Sequence, residues 1–180
     1  MEIKGQKVSL TPIKLKEKDE FYNLATKSYG SQFWYDEETK KKRTKKTFFK
    51  SWKNDYFNPR KPKAGKCFWI LVNKKGIGQV TYNEIDTKNK KIELDIIIGN
   101  KKDLGKGYGT DALRALIKYL FNNFDLNKIW IEARVNNHRA IKAYQKAGFK
   151  KECLLQKEDY FEGKFIDCVR FGIFKKGFLK

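Results

Sequence analysis

A run of three alternate glycines joins an apolar, strand-like stretch to a stretch with helical periodicity, and it limits the folds open to this chain. The run consists of Leu104, Gly105, Lys106, Gly107, Tyr108, Gly109 and Thr110. Glycine lets the backbone curl tightly, and a helix that begins here leaves its first N–H groups without partners. The helix dipole adds about half a positive charge at that end. The run therefore predicts a cradle for a phosphate or pyrophosphate.

The glycine spacing separates this run from two well-known phosphate loops. A P-loop requires G-x-x-x-x-G-K-[ST], and a dinucleotide-binding fold requires G-x-G-x-x-G early in a strand–helix–strand unit. This chain has G-x-G-x-G past the middle of its 180 residues. The alternative to a phosphate cradle is a helix that begins at these glycines and binds no ligand, because short glycine motifs are weak evidence by themselves.

A second motif follows the next strand-like stretch and runs from Asn137 through Tyr144 to Phe149, with the sequence NHRAIKAYQKAGF. Together the two motifs resemble those of the GNAT acetyltransferases, over about residues 68–174. The resemblance implies that the glycine loop binds the pyrophosphate of acetyl-CoA, that Asn137 contacts the arm of this co-substrate, and that Tyr144 lies near the thioester sulfur. The family usually has Gln or Arg in place of Leu104. Because backbone N–H groups form the cradle, we expect binding to survive without the interaction that a Gln or Arg side chain would make.

Two carboxylates interrupt the apolar strand pattern at 92–98, just before the glycine loop. Glu93 and Asp95 are two positions apart, so they share one face of the strand, about 7 Å apart. A buried carboxylate needs water, a cationic partner or a raised pKa. A structural salt bridge with Arg134 on the neighbouring predicted strand is one explanation. The other is a general base, since an amine acceptor is mostly protonated at pH 7 and must lose a proton before it attacks.

The resemblance favours the catalytic explanation and leaves two candidates for the base. Asp95 stands where aminoglycoside 6'-N-acetyltransferases carry their proposed base, whereas a Glu at the place of Glu93 is more frequent in the ribosomal-protein and polyamine branches. We expect Asp95 to be the base and Glu93 to be second. Backbone N–H groups around Ile97 and Ile98 are expected to polarise the thioester carbonyl. Tyr144 is expected to protonate the leaving thiolate, and a core aromatic with a satisfied hydroxyl is the alternative.

An aromatic and acidic segment supplies the candidate acceptor site, with Trp34, Tyr35, Asp36 and Glu38. Aromatic faces and carboxylates both attract positive charge, and solvated loop charge is the alternative. We therefore expect an acetyl-CoA-dependent N-acetyltransferase that acts on a small cationic amine, an aminoglycoside or a polyamine. Two alternatives remain open. One is acetylation of a protein N-terminus, for instance on a ribosomal protein, and the other is a non-catalytic module associated with RNA or the ribosome.

Alternation and helical periodicity predict a single α/β domain over residues 1–180, with a GNAT-like central mixed β-sheet flanked by helices. The predicted strands cover 8–13, 67–73, 77–86, 91–98, 128–135, 151–157 and 165–174. The predicted helices cover 15–28, 39–57, 107–124 and 137–147. Hairpin turns are expected at 74–76 and 159–164, and a breaker-rich loop at 59–65.

The formal charge of +20 raises the question of nucleic-acid binding. Lysines spread along the whole chain supply most of it, whereas sequence-specific DNA readers rely on arginine for bidentate contacts to bases. We therefore expect at most a weak, non-specific affinity for RNA or the ribosome at low salt.

The remaining composition bears on compartment, metal and partners. Three cysteines without C-x-x-C spacing and a single histidine predict reduced thiols and no metal site. Residues 1–10 lack the apolar core of a signal peptide and no run approaches a membrane span, so a cytoplasmic protein is expected. The basic stretch at 39–57 is a candidate contact for a homodimer.

Overall fold

The computed structural model describes residues 1–52, 54–58, 60 and 62–178. The strands are β1 (Ile3–Lys4), β2 (Ser9–Pro12), β3 (Lys66–Val72), β4 (Lys75–Tyr82), β5 (Lys91–Ile98), β6 (Lys128–Arg134), β7 (Lys150–Phe161) and β8 (Lys164–Phe174). The α-helices are α1 (Lys18–Lys27), α2 (Glu37–Lys42), α3 (Lys45–Ser51), α4 (Tyr108–Asn123), α5 (His138–Ala147) and α6 (Lys175–Phe178). Short 3-10 helices cover Leu15–Glu17, Tyr29–Phe33, Asn54–Phe57, Pro62–Ala64 and Lys101–Asp103.

The strands form one sheet in the order β1-β2-β3-β4-β5-β6-β8-β7. β5 and β6 run parallel, and the other neighbouring strands in the described residues are antiparallel. The predicted mixed sheet flanked by helices is therefore confirmed. That residues 1–180 act as one domain stays a prediction.

The two faces of the sheet carry different apolar clusters, as β3 illustrates. Phe68 and Ile70 pack into a cluster that includes the buried side of α4 and α5. Cys67 and Trp69 lie in a second cluster with residues of α1 and α3. Because successive side chains of a strand point to opposite faces, β3 is covered on both sides. The helices α4 and α5 thus cover one face of the sheet, and α1 and α3 cover the other.

The single helix predicted over 39–57 is wrong, because one helix begins before it and a second begins inside it, each with its own capping residue. The side chain of Asp36 accepts a hydrogen bond from the N–H of Thr39 at 2.7 Å and caps α2. The hydroxyl of Thr44 accepts from the N–H of Thr47 at 3.3 Å and caps α3. Each cap satisfies the first N–H groups of a separate helix. Three positions of predicted elements lie outside the described residues, namely Lys53 in this helix and Pro59 and Lys61 in the predicted loop.

The sheet extends further at its edges than the sequence pattern indicates. β1 has two residues, too few for a detectable alternation. β7 continues to residue 161, past the predicted end at 157. The register of β7 against β8 shifts between Leu155 and Asp159, and Lys157 has a φ of 54°. This irregularity breaks the two-residue period, so the second half of the strand does not follow the pattern of the first.

Cys67 and Cys168 are buried free thiols, and Cys153 is an exposed one. That these thiols are reduced stays a prediction. Among the described residues, the helices are all too short or too polar to cross a membrane.

The sheet opens between its two parallel strands. β5 and β6 pair over residues 91–93 and 128–130, at the beginning of each strand. β5 nevertheless continues to Ile98 and β6 to Arg134, and both of these residues line a cleft. The strands therefore separate towards their C-terminal ends, directly before the glycine loop.

Candidate active site

A cleft of about 640 Å³ lies where β5 and β6 separate. The glycine loop, α5 and the aromatic segment before α2 all line it. The predicted site residues that line the cleft are Trp34, Tyr35, Glu93, Asp95, Ile97, Ile98, Leu104, Gly105, Gly107, Tyr108, Gly109, Thr110, Asn137 and Tyr144. Asp36, Glu38 and Lys106 do not line it. Most residues that the sequence singled out therefore meet in one place.

The helix α4 begins at the glycine loop without a side-chain cap. Its N-cap residue Gly107 has a φ of 83°, and Gly105 has a φ of 77°, values that favour glycine. The first helical hydrogen bond runs from the N–H of Asp111 to the carbonyl of Gly107 at 3.0 Å. The N–H groups of residues 108–110 therefore lack helical partners. They lie at the cleft, where the helix dipole favours an anion.

Three cations of α5 line the cleft, namely Arg139, Lys142 and Lys146. The guanidinium of Arg139 also lies 5.4 Å from the ring centroid of Phe33. The spacing of the three cations, three and four residues, places them on one face of the helix. Sequence reasoning missed them, although this spacing was a usable signal. Together with the uncapped start of α4, they fit a ligand that carries several phosphates, as acetyl-CoA does.

Asp111, in the first turn of α4, fastens the turn between β1 and β2 to the glycine loop. Its carboxylate accepts hydrogen bonds from the N–H groups of Gln6 at 3.0 Å, Lys7 at 2.7 Å and Val8 at 3.0 Å. The ammonium of Lys7 also donates to the carbonyl of Lys106 at 3.2 Å. Asp111 is 8% exposed, so water has little access to these bonds. The carboxylate thus binds the turn between β1 and β2 to the first turn of α4, next to the glycine loop.

Asp111→Asn is expected to lower the free energy of unfolding by about 2–4 kcal/mol, because the amide nitrogen would face backbone donors that need an acceptor. Urea denaturation measures the loss. The matched control is Asp125→Asn, whose carboxylate pairs with Lys90 at 2.8 Å but is 80% exposed. The control should lose less than about 0.5 kcal/mol. Equal losses in the two variants would show that the Asp111 hydrogen bonds contribute no more than an exposed ion pair.

Glu93 and Asp95 lie side by side in the middle of the cleft. The side-chain nitrogen of Asn83 donates to Oδ2 of Asp95 at 2.9 Å and to Oε2 of Glu93 at 3.1 Å. Burial, and after it the charge of Asp95, raises the pKa of Glu93 to about 7. Burial also raises the pKa of Asp95, partly offset by the hydrogen bond from Asn83. The pair can therefore take up and release a proton near neutral pH.

Arg134 does not pair with these carboxylates, so the salt bridge considered as the alternative to a catalytic role is not formed. Its Nε donates to Oδ2 of Asp159 at 2.5 Å. Its two terminal nitrogens donate to the carbonyls of Phe33 at 3.0 Å and Trp34 at 3.2 Å. Because β6 has left β5 at this level, Arg134 reaches the β7–β8 hairpin and the aromatic segment instead. It holds that segment over the cleft and leaves the carboxylate pair without this cation.

Four aromatic side chains form one wall of the cleft, namely Phe33, Trp34, Tyr35 and Trp52. The rings of Trp34 and Trp52 stack with centroids 6.0 Å apart and an interplanar angle of 13°. The guanidinium of Arg43 lies 4.2 Å from the ring centroid of Tyr35. Trp52 lies within the single helix predicted over 39–57, and the chain instead bends at this residue after α3, which brings its ring to the wall. The wall is preformed by ring–ring contacts.

The two acidic residues of the predicted acceptor site lie outside the cleft. The carboxylate of Asp36 caps α2 and also accepts from the N–H of Glu162 at 3.2 Å. Its hydrogen bonds from Thr39 lower its pKa. Glu38 forms an exposed ion pair with Lys42. A role for Asp36 and Glu38 in acceptor binding stays a prediction.

Tyr144 is 6% exposed and lines the cleft. Within the described part of the chain, its hydroxyl has no hydrogen-bond partner. Burial, and secondarily the charge of Asp95, raises the pKa of Tyr144, so the hydroxyl keeps its proton and can donate it. Asn137 caps α5 by accepting from the N–H of Ala140 at 3.2 Å. This bond uses the side-chain oxygen and leaves the amide nitrogen available.

Of the N–H groups of Ile97 and Ile98 on β5, one faces the gap between β5 and β6. The N–H of Gly99 donates to the carbonyl of Ile77 on β4 at 2.8 Å. Backbone groups of successive strand residues point to alternate sides, so Ile97 also faces β4. The N–H of Ile98 then faces the gap that β6 has left. Of the two predicted residues, Ile98 is better placed to donate to a ligand.

A sheet that opens at its parallel strand pair, beside an uncapped helix start and a pair of carboxylates, fits the N-acetyltransferase class of proteins. The family model described as the acetyltransferase (GNAT) domain matches residues 7–150. The chain therefore belongs to the GNAT acetyltransferase family, and the resemblance drawn from its two motifs is confirmed.

Individual relatives and structures are similar to this chain over different lengths. The N-acetyltransferase p20 of Bacillus licheniformis is 32% identical over 100 residues, which are 56% of each chain. The aminoglycoside N(6')-acetyltransferase type 1 of Klebsiella pneumoniae is 42% identical over 59 residues, 33% of this chain and 29% of the relative. The chain thus spans about half or less of these relatives. The structure of spermidine N-acetyltransferase from Vibrio cholerae in complex with CoA and spermine has a TM-score of 0.81 and 23% identity, covering 97% of this chain and 99% of the other.

Proposed function

We propose that this protein transfers the acetyl group of acetyl-CoA to a primary amine of a small cationic acceptor. One observation carries the proposal. Glu93 and Asp95, with raised pKa values, stand in the cleft between a phosphate-binding helix start and an aromatic wall. An acid–base pair near neutrality is what deprotonation of an amine requires. A merely structural pair of carboxylates would need a cationic partner, and Arg134 is bound elsewhere.

We assign acetyl-CoA binding to one end of the cleft and deprotonation of the acceptor to the other. At one end, the N–H groups of residues 108–110 and the cations of α5 bind the phosphates of acetyl-CoA. At the other end, Asp95 accepts a proton from the ammonium group of the acceptor. The freed lone pair attacks the thioester carbonyl, the new N–C bond forms and the C–S bond breaks. The nitrogen then gives up its second proton, and the leaving thiolate takes up a proton to become the free thiol. Glu93, next to Asp95, is placed to pass the proton on towards water.

Two further groups stabilise negative charge during transfer. The N–H of Ile98 donates to the carbonyl oxygen as that oxygen becomes negative. The hydroxyl of Tyr144 donates to the sulfur as the C–S bond breaks. Because its pKa is raised above that of an ordinary phenol, it stabilises the thiolate mainly through a hydrogen bond.

The acceptor end favours positive charge. Glu158 also lines the cleft and forms no ion pair within the described residues, so its carboxylate adds to the negative charge of Glu93 and Asp95. The aromatic wall offers ring faces to a cation. The net charge of +20 repels polycations at long range, but screening over about 8 Å leaves the local carboxylates in control. Aminoglycosides and polyamines, the classes named for two of the similar proteins, have this chemistry.

The test is turnover of acetyl-CoA, followed as release of free thiol, against aminoglycosides, spermidine and peptides with basic N-termini. Turnover with a small polyamine or an aminoglycoside is expected. Turnover with the peptides alone would replace the acceptor by a protein N-terminus. Binding of acetyl-CoA without turnover of any amine would overturn the acceptor proposal, and no binding would overturn the role of the glycine loop as a phosphate cradle.

A further inference from the structure

We propose that Asn83, held in orientation by Tyr56, is a positioning residue that joins Glu93 and Asp95 into one proton-sharing site. This inference rests on the proposed function, because the shared proton is the one that the acceptor amine gives up. Neither Asn83 nor Tyr56 stands out in the sequence. They reach the site only through the pairing of β4 with β5 and the packing of the segment after α3.

Asn83 follows the last residue of β4 and lies opposite Glu93, whose carbonyl accepts from the Asn83 backbone N–H at 3.0 Å. Its side-chain nitrogen donates to Asp95 at 2.9 Å and to Glu93 at 3.1 Å. Its side-chain oxygen accepts from the hydroxyl of Tyr56 at 2.9 Å. The amide thus uses one N–H for each carboxylate and its oxygen for the tyrosine.

With both carboxylates ionised, the network admits one orientation of the amide. If the side chain were flipped, its oxygen would face two carboxylate groups that are acceptors when ionised. The hydroxyl of Tyr56 would also face the amide NH2 and lose its acceptor. Tyr56 therefore keeps the NH2 group turned towards the pair, and Asn83 in turn keeps both carboxylates within reach of one nitrogen.

Two carboxylates that accept hydrogen bonds from the same side-chain nitrogen titrate as a pair. Ionising both places like charges together, so the pair keeps one proton up to a higher pH than a single carboxyl group does. The N–H groups of Asn83 stabilise the ionised forms and limit this rise. Among the groups packed around the pair, Glu132 raises the pKa of both carboxyl groups and Arg170 lowers that of Glu93. The charge of Asp95 in turn raises the pKa values of Tyr35, Tyr56, Cys67 and Tyr144. Arg170 is a cation, but its guanidinium is paired with Glu132 at 2.5 Å.

Asn83→Leu removes the amide and keeps much of the side-chain volume. The acid limb of the kcat–pH profile is expected to move up by about one pH unit, with kcat about 10-fold lower at pH 7 and close to wild type at pH 9. KM for acetyl-CoA should stay the same, because the phosphate end is untouched. Tyr56→Phe should shift the limb in the same direction by less, since it frees the amide to flip without removing it.

A structural role for Asn83 would lower the rate equally at all pH values, so a uniform loss without a shift overturns the proposal. The matched control is Asn89→Leu, which removes an amide that bonds Asp86 at 2.8 Å in an exposed turn and should leave the profile unmoved. Titration of the Glu93 and Asp95 carboxyl carbons by NMR, in wild type and Asn83→Leu, needs no substrate. A shift there without turnover in the wild type would refute the proposed function and keep the network, whereas turnover with identical titrations refutes the network.

Discussion

Asp95→Asn is expected to lower kcat by about 10²–10⁴-fold at pH 7, because the amide cannot accept the proton of the acceptor ammonium. The side chain keeps its size, so binding of acetyl-CoA at the glycine loop should be unchanged. Thiol release gives kcat, and calorimetric titration with acetyl-CoA gives the binding constant. Loss of turnover with intact binding would assign the base to this carboxylate.

Glu93→Gln is the matched comparison, since it removes the neighbouring carboxylate of the same pair. A smaller fall in kcat, about 10-fold, is expected if Glu93 passes the proton on. The opposite ranking of the two variants would make Glu93 the base.

Glu93→Gln is also expected to change how the free energy of unfolding depends on pH. Glu93 holds its proton up to a pH of about 7 in the folded chain and to about 4.5 ordinarily, so its ionisation lowers the free energy of unfolding as pH rises through that window. Glu93→Gln should therefore be more stable than wild type at pH 8 and equal to it at pH 4.

Gly30→Ala is expected to lower kcat/KM by about 10–100-fold, because it displaces the aromatic wall from β5. A Cβ at this position would overlap the carbonyl oxygen of Ile98 and lie 2.8 Å from Cγ1 of Ile97. The carbonyl oxygen belongs to the backbone of β5, so the overlap cannot be relieved by a change of side-chain rotamer. The N–H of Gly30 also donates to the carbonyl of Gly99 at 3.0 Å, so the two segments are in direct contact. Overpacking of this kind lowers stability by about 1–3 kcal/mol.

The control for Gly30→Ala is Gly76→Ala on β4, where a Cβ would meet nothing within 4 Å. It should retain wild-type turnover and stability. Steady-state kinetics and urea denaturation of both variants give the comparison. If Gly30→Ala behaved like the control, the close contact between the aromatic segment and β5 would have no influence on the site.

The parts of the fold that follow local rules could be predicted from the sequence. The helix after the glycine loop is predicted over 107–124 and observed at Tyr108–Asn123, because its apolar positions repeat with the helical period. The strand that carries Glu93 and Asp95 is predicted at 91–98 and observed there. The helix predicted over 39–57 is wrong because the cap formed by Thr44 outweighs a continuous helical pattern.

The candidate active site likewise has parts that follow from local sequence patterns and parts that do not. The sequence by itself determined the glycine loop, the two carboxylates before it and Tyr144 after it, because each lies in a motif whose spacing is set by one strand or one helix. Only the tertiary structure decided how these groups are held. Arg134 reaches the carbonyl of Phe33 across 101 positions of sequence, and Tyr56 reaches Asn83 across 27. Such contacts depend on strand register, on the separation of β5 from β6 and on the packing of loops against the sheet. No local pattern encodes them, since the free energy of each bond exists only after the distant segments have met.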